Sequence, residues 1–407
     1  MLLERGCLLL PARFVAPALC AAAVILAACS GGSSGSVPPF NSGGGAQFPG
    51  AGPGTPPPAG ATPSPTPVPT ATPTPVPAGI TTPSAAVGRL ASYHVSPQKI
   101  FVAGISSGGF FAVQMHVAHS AAFKGAAIYA GGVYYCATGN VATALGNCGG
   151  ETVNGQALYH STLAASEVYL DQQSTLGTID SSSNLRGQPV YLWSGTRDSV
   201  VNPQEMADLN SEYQHYGAQV TFDNAFPAEH GWESPDGELP CGTAASPYMI
   251  ACTQNGAPYD SVQKWLTMFF GPLQPRGTLA LHGSLMRFDQ TEFGASAANS
   301  MDTKGTVYVP QPCLAGATCG FVVAFHGCLQ YQGIIGDRFP LEAGIDEWAD
   351  TNNIIVLYPF AVPGSGAVVN PNGCWDWWGY DDPNYALKSG TQISIVYKMV
   401  QRVTGIP

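Results

Sequence analysis

Short apolar runs bounded by Gly, Asp and Asn recur along most of the chain after residue 95, and stretches with helical spacing separate them. Lys99-Ile-Phe-Val-Ala103 reads as a strand, followed by a tight Gly/Ser turn and a helix over Gly109–Ala118. Gly125–Gly132, Gln188–Gly195 and Gln219–Phe222 read as further strands. Helical patterns cover Pro203–Tyr216 and Asp260–Phe270. In the C-terminal third, Ser284–Asp289 and Gly305–Val309 read as paired strands. Phe321–Phe325 and Ile354–Tyr358 complete the strand set, with helices over Leu341–Asn352 and Ile393–Arg402. Several of these runs are apolar at nearly every position, which is the pattern of strands covered on both faces. Alternation of such strands with helices predicts an α/β domain with a mostly parallel central sheet and helices on both faces.

The first 28 residues stand apart. Arg5 and Arg13 precede the apolar stretch Val15–Ala28, which is shorter than the roughly 20 residues a membrane span needs. It reads as a signal peptide. Leu26-Ala-Ala-Cys29 followed by Ser30 is a lipobox-like end, so lipidation of Cys29 and a membrane partner through that anchor are expected. Residues 29–86 are Gly/Ser-rich and then Pro/Thr-rich, a composition that cannot bury a core and suits an extended tether. One domain over 87–407 remains.

Composition narrows the chemistry. The net charge is −11 and only 10% of residues are charged, which excludes a basic nucleic-acid surface. Of 11 cysteines, Cys7 and Cys20 leave with the leader and Cys29 is the anchor; the other eight fall between Cys136 and Cys374. An even number in an exported chain points to disulfides. Sequence alone does not fix their pairing, but local spacing favours Cys136 with Cys148, Cys241 with Cys252 and Cys313 with Cys319, leaving Cys328 with Cys374. No C-x-x-C or H-E-x-x-H occurs, so no metal site and no cofactor are expected, and His116 with His119 read as helix packing or surface.

The turn after the strand at 99–103 is Gly104-Ile-Ser-Ser-Gly108, a G-x-S-x-G sequence between a strand and a helix. In that context Ser106 is a candidate nucleophile on a strained turn, where glycine neighbours let strand and helix pack closely. A serine hydroxyl needs a histidine to take its proton and a carboxylate to orient that histidine. Asp198 follows the strand ending at Trp193 and precedes a helix, and His230 follows the next strand, giving the order Ser, Asp, His. Glu229, the nearest competing charge, reads as solvent-facing. Two backbone N–H groups must also meet the oxyanion. Ser107 supplies one, and Cys328, in the loop His326-Gly-Cys-Leu-Gln330 after the strand at 321–325, supplies the other. His326 reads as structural. Trp375, Trp377, Trp378 and Tyr380 cluster in a Gly/Asn-rich loop and, with Trp232, are candidates for gripping an apolar, carbonyl-bearing substrate.

Gly104–Gly109, Ser194-Gly-Thr-Arg-Asp198, His326-Gly-Cys328 and Asn372-Gly-Cys-Trp375 together resemble the catalytic domain of poly(3-hydroxybutyrate) depolymerases in its circularly permuted form. The resemblance implies an α/β-hydrolase fold in which the strands that ordinarily precede the elbow follow it. It also implies a triad of Ser106, Asp198 and His230, an oxyanion hole from the Ser107 and Cys328 amides, and polymer subsites around Trp375. The expected partner is a polyester or oligoester. A feruloyl- or acetyl-type carboxylesterase of the same fold is the alternative, and a non-catalytic polymer-binding lipoprotein is a third reading.

Overall fold

The structure is a computed structural model that describes residues 81–407, except 151, 154, 155, 158 and 365–369. The leader, Cys29 and the tether up to residue 80 lie outside the described residues. No helix among the described residues is long and apolar enough to cross a membrane.

Nine strands form one sheet: β1 (Val87–Gly88), β2 (Val95–Ile105), β3 (Ala126–Tyr129), β4 (Pro189–Trp193), β5 (Gln219–Asp223), β6 (Ser284–Asp289), β7 (Lys304–Val309), β8 (Cys319–Phe325) and β9 (Ile354–Tyr358). Their spatial order is β1-β6-β7-β9-β8-β2-β3-β4-β5. Only β7 runs against its neighbours β6 and β9; every other pairing is parallel. The strands of the C-terminal third, β6 to β9, therefore fill one half of the sheet with β1 at its outer edge, and β2 to β5 fill the other. The two halves join where β8 pairs with β2, with Phe321 opposite Ile100 and Phe325 opposite Gly104. The domain's two ends meet: the Tyr93 N–H donates to the Val403 carbonyl at 2.9 Å and Arg402 donates to the Leu90 carbonyl.

Strand residues divide by parity between two cores. Ile100, Val102, Val323, Phe325, Ile355 and Leu357 enter one core. Phe101, Ala103, Val322, Ala324, Ile354 and Val356 enter the other. The first core is covered by α1 (Ser107–Ala118), α2 (Leu163–Leu176), α3 (Pro203–His215) and α6 (Thr391–Thr404). The second is covered by α4 (Ser261–Phe270) and α5 (Ile345–Asn352). Helices on both faces explain why the strands lack polar alternation.

The element bounds carry a few corrections. The helix expected from Leu341 is two pieces, Arg338–Glu342 and then α5, because Gly344 takes φ 70° between them. The helix α2 lies in the insertion between β3 and β4, where no helix was expected. The tether also ends earlier than its composition suggests: the Thr81 N–H donates to the Leu279 carbonyl and the Ser84 N–H to the Leu285 carbonyl. This segment leads into β1, which covers the edge of β6 that would otherwise stand unpaired.

Four disulfides close among the described residues, Cys136–Cys148, Cys241–Cys252, Cys313–Cys319 and Cys328–Cys374. They mark an exported protein. His116 and His119 are packing residues, both pushed down to about 4 by burial. His116 bonds Tyr213 and Gln188, and His119 stacks on Tyr397.

Candidate active site

The turn between β2 and α1 places Ser106 at φ 57°, ψ −126°, a backbone conformation that L residues rarely adopt. Close approach on both sides enforces it. A Cβ on Gly104 would sit 2.1 Å from the Gly108 carbonyl oxygen, and one on Gly108 would sit 2.3 Å from that of His326. The Ser106 N–H donates to the Tyr129 carbonyl at 2.9 Å, and the Ser106 carbonyl accepts from Phe110 at 2.9 Å, so the serine is tied to β3 on one side and to the helix on the other.

The loop after β4 carries Asp198. One carboxylate oxygen, Oδ1, accepts the N–H groups of Val200 and Val201 at 2.9 and 2.8 Å. The other, Oδ2, lies 2.9 Å from His230 Nδ1. Both side chains are buried, His230 at 5% and Asp198 at 1% exposure, so the pair is shielded from water. With Nδ1–H donating to the carboxylate, Nε2 is the ring nitrogen left to accept a proton. Glu229 is not simply solvent-facing: its Oε2 accepts both the N–H and the hydroxyl of Ser199 and so holds the loop next to Asp198.

A cavity of about 590 Å³ opens at the carboxyl ends of β2 and β8. Ser106, Ser107, His230 and Cys328 all line it, so residues from three separate stretches of sequence meet there. Its other walls are mostly apolar. Val141, Ala144 and Leu145 come from the insertion closed by Cys136–Cys148, Val200 and Val201 from the Asp198 loop, and Tyr248 and Leu329 from the loops beside His230 and Cys328. None of these wall residues was singled out from the sequence. Their exposure shows only in the structure: Val141 and Leu145, on short helical turns, and Val200, in a loop, remain 44–51% exposed.

Three of the aromatic candidates stand elsewhere. Trp375 is fully buried between Phe111 and Phe325, with centroids at 4.8 and 5.1 Å, and is core. Trp232 is fully buried, stacks on Tyr129 at 4.1 Å and donates Nε1–H to the Ala343 carbonyl. The Tyr380 hydroxyl accepts from Asn370 and Gln392 and donates to the Cys374 carbonyl, so it braces the loop instead of facing the cavity. Trp377 and Trp378 do line the cavity, with Trp377 stacked on Phe110 at 4.2 Å. A shared loop does not give shared exposure: Asp376 accepts four backbone N–H groups from residues 379–382, folding that loop back so that its side chains point different ways. Burial pushes the Asp376 carboxyl up to about 6 even against those donors.

The loop after β8 is pinned at each residue. Cys328 is bonded to Cys374, Leu329 N–H donates to the Asn372 carbonyl, and Leu329 sits at φ 61°. Fully buried His326 uses both ring nitrogens: Nε2 accepts the Ala361 N–H at 3.1 Å, which leaves Nδ1–H to donate to the Gly327 carbonyl at 2.7 Å. Desolvation pushes its pKa down to about 4, and a neutral, fully bonded ring is structural. No group of His, Cys, Asp and Glu among the described residues is arranged to hold a metal ion.

A strained serine at the carboxyl end of a central strand in this sheet topology is the arrangement of an α/β-type serine hydrolase. The chain is 38% identical over 332 residues to a poly(3-hydroxybutyrate) depolymerase of Delftia acidovorans, a match that takes in 80% of this chain and 63% of the relative. It is 35% identical over 330 residues to a polyhydroxybutyrate depolymerase of Talaromyces funiculosus, covering 77% of this chain and 92% of that one. It therefore belongs to the poly(3-hydroxybutyrate) depolymerase family. Solved structures agree: a serine-to-alanine variant of a PHB depolymerase complexed with R3HB trimer matches with a TM-score of 0.69 at 32% identity, covering 78% of this chain and 99% of that one. A PHB depolymerase from Penicillium funiculosum matches at 0.68 and 34% identity, with the same coverage. No protein-family profile matches the chain.

Proposed function

We propose that this protein hydrolyses the ester bonds of poly(3-hydroxybutyrate) or its oligomers through an acyl-enzyme on Ser106. The observation that carries this reading is the buried Asp198–His230 hydrogen bond opening onto the same apolar cavity as Ser106. His230 Nε2 takes the Ser106 proton as Oγ attacks the ester carbonyl carbon, and the tetrahedral oxyanion is met by the Ser107 and Cys328 N–H groups. Collapse of that intermediate breaks the C–O bond, and His230 returns the proton to the leaving alkoxide. Water, deprotonated by the same ring, then releases the 3-hydroxyacid from Ser106. The sparsely charged walls, with Trp377, Trp378, Leu145 and Val200, suit a backbone whose repeating units are uncharged and polar only at their esters.

The test is product analysis. Defined 3-hydroxybutyrate oligomers and amorphous polymer should be cleaved to shorter hydroxyacids at kcat/KM at least about 100-fold above feruloyl esters of similar leaving-group reactivity. Preference for feruloyl or acetyl esters with no oligomer cleavage, read by mass spectrometry, would replace this reading by the alternative esterase.

Residues 26–29 and the long Pro/Thr-rich stretch support a second element of the proposal, that the mature chain is fixed to a membrane through a lipid on Cys29. The protein expressed in a lipoprotein-processing host should then incorporate labelled palmitate and partition into detergent, whereas Cys29→Ala should do neither while retaining esterase activity. Failure of the wild-type chain to take up label would leave simple secretion.

A further inference from the structure

His230 and the oxyanion loop must keep a fixed separation for catalysis, yet they come from opposite halves of the permuted sheet. One buried side chain joins them. Gln330 is 1% exposed, and its amide is engaged at both ends. Oε1 accepts the Gly327 N–H at 2.6 Å. Nε2 donates to the Pro247 carbonyl at 2.8 Å, with the Tyr248 carbonyl at 3.4 Å. Tyr248 lines the cavity and stands edge-on to the His230 ring at 5.9 Å, and its carbonyl accepts the Trp232 N–H at 2.8 Å. The amide thus spans from the oxyanion loop to the segment packed against the histidine.

The bond to Gly327 has a directional consequence. It occupies the Gly327 N–H, so that group is not offered to substrate. The Gly327 carbonyl is held by His326 Nδ1–H on the other side. In a trans peptide the Cys328 N–H points opposite to the Gly327 carbonyl, so His326 aims it directly, while Gln330 holds the preceding peptide and limits rotation about Gly327. A side chain at position 327 would crowd the nucleophile, since a Cβ there would lie 3.0 Å from the Ser106 Cβ.

We propose that Gln330 is a positioning residue for ester hydrolysis: its amide clamps the oxyanion loop to the segment beside His230 and, by holding the Gly327 N–H, keeps the neighbouring Cys328 N–H from swinging out of line. This rests on the assignment of Ser106, His230 and Cys328 above. The experiment compares the full chain with Gln330→Met, which keeps length and removes both hydrogen bonds, and Gln330→Glu, which keeps the acceptor for Gly327 and places a second oxygen against the Pro247 carbonyl. For soluble 3-hydroxybutyrate trimer, kcat should fall about 10–100-fold in both variants with KM within about 3-fold, the range expected for misaiming an oxyanion donor. Affinity for an alkylboronic acid, which forms a tetrahedral adduct on the serine, should fall by a factor similar to kcat/KM. A merely structural role would lower the melting temperature and leave both quantities unchanged at temperatures where the variant is folded. That result, or a rise in KM alone, overturns the proposal. If Gln330→Met does not fold, Gln330→Glu carries the same comparison. Ser106→Ala, run alongside, separates the two ideas: an active Ser106→Ala refutes the assignment of the serine, whereas an inactive Ser106→Ala with fully active Gln330 variants refutes the clamp alone.

Discussion

Ser106→Ala is expected to lower turnover of 3-hydroxybutyrate oligomers by roughly 10⁴–10⁶-fold, the scale set by removing the nucleophile of a serine hydrolase. The substitution deletes a single oxygen. Alanine must still adopt φ 57°, so the strain of the turn is retained, and the two backbone hydrogen bonds that hold residue 106 involve no side-chain atom. The fold should therefore be unchanged, with a melting temperature close to that of the parent. Oligomers should still enter the cavity, because its apolar walls are untouched. Mass spectrometry of oligomer products together with labelling by a serine-directed phosphonate checks this: the parent should take up one phosphonyl group and the variant none. Residual turnover above about one part in a thousand of the parent would assign the attack to another group.

Asp198→Asn should cost about 10⁴-fold in kcat, for a reason specific to this loop. Oδ1 of Asp198 accepts two backbone N–H groups, from Val200 and Val201. An asparagine in its place must keep its carbonyl oxygen there, since an NH₂ group would face two donors. The NH₂ is then directed at His230 Nδ1, which must give up its proton and accept. The ring is forced into the Nε2–H tautomer, which has no lone pair free for the Ser106 proton. Side-chain volume and burial hardly change, so stability should hold while kcat collapses and KM moves little. Steady-state kinetics on a soluble oligomer, paired with the rate of phosphonate labelling, measures the effect. A loss of less than about 10-fold would mean that the aspartate does not set the tautomer.

The candidate site was legible to the extent that its chemistry is local in sequence. The Gly-x-Ser-x-Gly turn announces itself because two glycines are required by the 2.1 and 2.3 Å approaches of neighbouring backbone. Asp198 and His230 follow apolar strands in the order that a parallel sheet needs to bring strand ends to one edge. The apolar walls were not legible, since Val141 and Leu145 sit on short helical turns inside a disulfide-closed insertion and Val200 in a loop held by the carboxylate of Glu229. For the same reason neighbours in one loop part company: Trp375 is core while Trp377 and Trp378 reach the cavity. Gln330 carries no local sign of its place in the site, because its partners Pro247 and Tyr248 lie more than 80 residues away.

By itself, then, the sequence determined the α/β alternation, the strained serine turn and the order of the three side chains. Each of these follows from the spacing of apolar residues or from backbone sterics within a few positions. Tertiary structure alone decided which aromatic rings line the cavity, how the loop after β8 is held and what ties it to the segment beside His230. Those depend on where separate loops meet in space, and a side chain's burial is set by neighbours that can lie a hundred residues away.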